Sequence, residues 1–220
     1  MCRFIVQSTQ TPQNVQTRLN AFADMARDSQ VSPGKWQGDG WGVAWHDGHD
    51  WQLYKSLKPV WQDRDMFSQV PASTCVIAHA RAASFDRSKG VLEVNQPYLG
   101  GGYAFVFNGW LKGVRFSAGM PGEIGAQKLW HLLQGYLRES PPQDALNWLR
   151  DWLIAHTQFI GACNIGLTDG IQVYALSMYQ QRGEYYNLRY ARDSETCLLV
   201  SEPIAEVEMA WLAKDVAVLV

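Results

Sequence analysis

Short apolar runs punctuated by turn residues dominate this chain, and only three stretches carry apolar positions at helical spacing. Phe4-Ile5-Val6 predicts a buried strand leading out of Cys2. Val15, Leu19, Phe22, Ala23 and Ala26 recur every three or four residues and predict a helix over 15–27, stopped by Ser32-Pro33-Gly34. Runs at 41–45 and 51–54 read as two strands joined through His46-Asp47-Gly48-His49-Asp50. Further strands are expected at 75–80 and 103–107. The period then changes. Leu129, Leu132, Leu133 and Leu137 predict a second helix, closed by Pro141-Pro142, and Ala145, Leu146, Leu149, Trp152 and Leu153 a third, with Pro142 near its start. Strands return at 162–167, 172–176, 185–190 and 196–201, the first two around Thr168-Asp169-Gly170. Non-alternating strand runs imply sheets covered on both faces, so the pattern points to an α+β layered domain. No linker or repeat interrupts it, and 1–220 reads as one domain.

Composition narrows the function. The 220 residues are 47% hydrophobic and 18% charged, with a formal net charge of −2, which suits a globular protein with a sizeable core. No basic stripe suggests nucleic acid as a partner, and no long apolar span suggests a membrane. Cys2, Cys75, Cys163 and Cys197 form no C-x-x-C pair. With no presequence pattern at the start, they read as reduced thiols and the location as cytoplasmic.

Five clusters carry candidate chemistry. Removal of Met1, which a small residue at position 2 permits, would leave a thiol and a free α-amine together on Cys2. The ordinary amine pKa of about 7.7–8.0 makes it a base near neutral pH, as in nucleophile-plus-N-terminal-amine acyl transfer. Taken alone, a cysteine here is more often a small hydrophobe. Gln37-Gly38-Asp39-Gly40-Trp41-Gly42 offers close backbone approach to a ligand, or simply a turn. His79-Ala80-Arg81 follows a strand. Arg81 can hold a carboxylate through two parallel bonds or form a surface ion pair, and His79 is either a satisfied core histidine or a group that orients Arg81. Asn95-Gln96-Pro97-Tyr98 is a polar turn without diagnostic chemistry. Asn108-Gly109 can supply two donors to an oxyanion or make an ordinary hairpin turn. His46 to Asp50 reads as a solvated turn, with no metal site expected, and Cys75, Cys163 and Cys197 as inert buried thiols.

Met-Cys-Arg-Phe at 1–4, Asp-Gly-Trp-Gly-Val-Ala-Trp at 39–45, Ala-His-Ala-Arg-Ala-Ala-Ser at 78–84, Phe-Asn-Gly-Trp-Leu at 107–111 and Ser201-Glu202-Pro203 follow in one order. In that order they resemble the class II glutamine amidotransferases, most closely the small stand-alone branch that includes the γ-glutamyl amidohydrolase of ergothioneine biosynthesis. The resemblance implies a four-layer αββα N-terminal nucleophile hydrolase sandwich of two mainly antiparallel sheets. It also implies hydrolysis of a γ-glutamyl amide without a cofactor. Cys2 would be the nucleophile, Asn108 and Gly109 the oxyanion hole, and Arg81, with His79 beside it, the holder of the substrate carboxylate. Asp39, Gly40 and Trp41 would line the glutamyl pocket. Two departures stand out. Where the family carries an acid for the substrate amine, this chain offers Glu123 or none, and Gln96 stands where the small branch commonly has histidine. Alternatives are an ammonia-supplying subunit for a separate synthase chain, or a silent member that binds a γ-glutamyl metabolite or a protein.

Overall fold

The computed structural model describes residues 1–204 and 207–220. Strands β1 (Arg3–Gln13), β2 (Trp41–His46), β3 (Trp51–Ser56), β4 (Ser73–Ala80), β9 (Arg189–Arg192), β10 (Thr196–Val200) and β11 (Ala210–Trp211) form one sheet in the order β11-β9-β10-β1-β4-β2-β3. The second sheet runs β12-β8-β7-β6-β5, from β5 (Tyr98–Gly100), β6 (Tyr103–Val114), β7 (Thr157–Thr168), β8 (Val173–Tyr179) and β12 (Ala217–Leu219). Every registered strand pair is antiparallel.

Side-chain alternation divides the interior into three layers. On β1, Phe4 and Val6 meet Ile77, Ala104, Val106, Ala175 and Leu199 between the two sheets. Ile5 points the other way, to helix α1 (Gln16–Arg27), whose Leu19, Phe22, Ala23 and Ala26 also cover Val43, Ala78 and Val200. Helices α2 (Gly125–Leu137) and α3 (Pro142–His156) cover the second sheet through Leu129, Leu133, Leu146 and Leu149 against Phe105, Ile165 and Leu176. Pro142 takes a position where its missing N–H costs no hydrogen bond. The layering is therefore αββα, the class expected. Both faces of each sheet are buried, which is why the strands read as unbroken apolar runs.

Several boundaries move. The expected strand at 185–190 is instead a short helix α4 (Gly183–Tyr186) followed by β9; Tyr186 is buried and its run of aromatics carries no alternation that separates strand from turn. Strand β6 extends seven residues beyond 107, and past buried Asn108 they are half-buried or exposed, because pairing with β7 rather than burial sustains them. The two- and three-residue strands β5, β11 and β12 are too short to announce themselves. Among the described residues no helix is long and apolar enough to cross a membrane.

One buried ion pair ties the start of β1 to the segment that follows β10. Arg3 and Glu202 are both wholly inaccessible, and Arg3 Nε donates to Glu202 Oε2. Arg3 Nη2 donates to Ser29 Oγ at 2.9 Å and Nη1 to the Cys2 carbonyl at 3.1 Å. Glu202 also accepts from Ser29 Oγ and from the Gln30 and Val31 amides after α1. Removing one member of a buried pair strands the other, at a cost of about 3–5 kcal/mol. Glu202→Ala is expected to lose about that much stability in urea unfolding, and the double change R3M/E202L to recover part of it.

Candidate active site

Cys2, His79, Arg81 and Asn108 reach one end of the inter-sheet layer by strand parity. In the β1–β4 register Phe4 faces His79 and Arg3 faces Ala80, so continuing one residue sets Cys2 across from Arg81. Cys2 and Phe4 share a face, as do Ile77, His79 and Arg81, and on β6 Asn108 shares the face of Ala104 and Val106. A cavity of about 260 Å³ opens there, lined by Cys2, His79, Arg81, Gln96 and Gly109, with an apolar wall that includes Phe107 and Leu129. The Ala82 N–H donates to Cys2 Sγ at 3.4 Å, so a backbone donor already rests on the sulfur.

Arg81 is buried and held from its far end. Nη1 and Nη2 donate to the Ser88 carbonyl at 2.8 Å and the Ser88 hydroxyl at 2.7 Å, and Nη1 reaches Asn95 Oδ1 at 3.4 Å. That uses three of five donors. The Nε–H and one Nη2–H, the parallel pair along the guanidinium's side, have no protein acceptor among the described residues. This edge is shaped for one carboxylate.

The Asp39-Gly40 turn builds this arrangement without entering the cavity. The Asp39 N–H donates to the Arg81 carbonyl, the Arg81 N–H donates to the Gly40 carbonyl, and Asp39 Oδ2 accepts the Ala83 N–H at 2.8 Å. Gly40 sits at φ +105°, and a Cβ there would collide with the Asn95 amide and the Ser56 carbonyl. Trp41 points away: it is fully buried beneath α1, with Nε1 donating to Asp63 at 3.0 Å. Glu123 is exposed outside the cavity, and its amide donates to Gln127 Oε1 in the N-terminal cap of α2.

Gln96, read from the sequence as undiagnostic, organises the opposite edge. Its side chain accepts the Phe107 N–H and donates to the Phe107 carbonyl and to His79 Nε2, the last at 3.2 Å. Phe107 thus turns its backbone polar groups away from β7, and by strand alternation so does Gly109. The Gly109 N–H is left as an edge donor beside the cavity. Only glycine fits there, since a Cβ would strike the Phe107 ring and the Ala162 carbonyl. Asn108 is buried, its Oδ1 without a partner, so its amide holds unused hydrogen-bonding capacity. Glutamine and asparagine in a polar turn give no local signal of any of this. The bonds become visible only when 95–96 meets Phe107 and Arg81 in space.

Burial, with Arg81 nearby adding to it, pushes His79 down to about 3. The imidazole is therefore neutral and, accepting from Gln96 at Nε2, supports Gln96 rather than carrying charge. Burial likewise pushes Cys75 and Cys163 up to about 12 and Cys197 to about 11, which makes them poor nucleophiles. Burial also pulls the Met1 amino group below its ordinary value.

No protein-family model and no curated protein matches the chain. Among solved structures, a glutamine aminotransferase class-II domain protein from Silicibacter pomeroyi is similar at TM-score 0.63 and 19% identity, covering 99% of this chain and 98% of its own. A predicted glutamine amidotransferase from Pseudomonas aeruginosa is similar at 0.59 and 17%, with 99% and 96% covered. The glutamine phosphoribosylpyrophosphate amidotransferase of B. subtilis is similar at 0.57 and 15%, over 91% of this chain and 42% of its own.

The His79 environment leaves a signature in stability. Below about pH 6.5 the unfolded chain protonates this imidazole while the folded protein resists until about pH 3. Stability therefore falls as pH drops through that window, by about 1.4 kcal/mol per unit from this group. Urea midpoints of wild type and His79→Gln at pH 7.5, 6 and 5 are expected to show a shallower slope in the variant, and equal slopes would refute it. The likeness to the solved neighbours is one of fold, an αββα sandwich of two antiparallel sheets.

Proposed function

We propose that the protein hydrolyses a γ-glutamyl-type amide through Cys2 after loss of Met1. The observation that carries this is the convergence of Cys2 Sγ, the free edge of Arg81 and the Gly109 edge amide on one cavity. Solved neighbours that bear glutamine amidotransferase names support the reading.

Arg81 takes the substrate carboxylate, which orients the distal amide toward Cys2. The Cys2 amine removes the thiol proton as sulfur attacks the amide carbon, forming the S–C bond. The oxyanion that develops is met by the Gly109 N–H and by the side-chain amide of Asn108, which is buried next to the lining and has to turn into the cavity to reach it. Collapse breaks the C–N bond, the amine returns its proton to the departing nitrogen, and water hydrolyses the thioester to the free acid and Cys2 thiol.

In intact mass spectra the active protein is expected to lack Met1. Cys2→Ala should abolish ammonia release from a γ-glutamyl amide, and full activity in that variant ends the reading. Asn108→Ala should lower kcat by about 10²–10³ with little change in KM, as expected for a donor felt mainly in the transition state.

A further inference from the structure

The cavity has a lopsided charge. Among the described residues its lining contains Arg81 and neither aspartate nor glutamate. His79 beside Arg81 is neutral, and Lys55 adds a further positive influence at the imidazole. The acids nearby are spent or outside: Asp39 holds the Ala83 amide, Glu123 is exposed, and Glu93 is exposed near Lys55. The same lining carries Phe116, Ile124, Ala126 and Leu129.

An ammonium next to the bound carboxylate would meet a guanidinium, hydrocarbon and neutral polar groups such as Ser84 and Gln96, with no carboxylate to compensate its lost hydration. An uncharged carbon chain or acyl group would instead cover apolar surface. We infer that the ligand is a carboxylate-bearing ω-amide with no free ammonium, either the amide of a plain dicarboxylic acid or a glutamine whose α-nitrogen is acylated. This deepens the reading of Cys2 and Arg81 as the reacting and anchoring groups, and rests on it.

The test is calorimetric titration of Cys2→Ala with three probes: glutaramate, Nα-acetyl-L-glutamine and L-glutamine. At least one of the first two is expected to bind tenfold or more tightly than L-glutamine, and which one does so separates the plain from the acylated class. L-glutamine binding equally or better overturns the inference, as does failure of all three to bind. Glutarate against L-glutamate on wild-type protein gives the same comparison without a substitution. Gly125→Asp, in the first turn of α2, where a Cβ meets nothing within 4 Å, places an acid on this wall. It is expected to narrow the preference at least fivefold, and an unchanged ratio overturns the assignment of this wall. Ammonia release by mass-verified wild type is read separately. No turnover with the tenfold binding preference intact sinks the hydrolase reading and leaves the ligand class standing, whereas turnover that favours L-glutamine does the reverse.

Discussion

Antiparallel registration of β1 on β4 is the constraint from which the rest of the site follows. Strand side chains alternate with a period of two, so a slip of β1 by one residue would send Cys2 under α1 and bring Arg3 to the cavity. Both faces of this sheet are buried, which makes the slip expensive twice over: Phe4 and Val6 would leave one core while Ile5 left another. The Arg3–Glu202 pair adds a polar lock on the same register, because an unpaired guanidinium in either layer is costly. Cys2 is thus placed mostly by hydrocarbon packing several residues away from it.

Around that frame the cavity is edged by side chains that imitate backbone. Gln96 closes onto Phe107 as a neighbouring strand would, and Asn95 braces both the Ser56 carbonyl and Arg81. These amides satisfy buried polar groups without adding charge. The cavity's field is consequently left to Arg81, and the neutral His79 does not dilute or reinforce it.

Much of the layering was legible in the amino-acid order because long apolar runs and helical spacing report burial directly. Phe4-Ile5-Val6, the Leu129 to Leu137 helix and the Ala145 to Leu153 helix all lie where the pattern puts them. The 185–190 region was illegible because aromatic residues serve a buried turn and a strand equally well. Trp41 shows a subtler limit. Lying between two glycines in a motif of the pocket family, it invites a ligand role, yet parity sets it on the α1 face. Gln96 and Glu202 were missed as organisers because their partners stand 11 and up to 199 positions away, and no local rule connects such residues.

That last separation has a consequence for synthesis. A ribosome makes Glu202 199 positions after Arg3, so the carboxylate that pairs with Arg3 does not exist while the residues between them are emerging. Strand β10, one of the two flanks of β1, is equally late. Arg3 must then wait without its partner until β10 and Glu202 have been made, and pairing of β10 on β1 brings the two together.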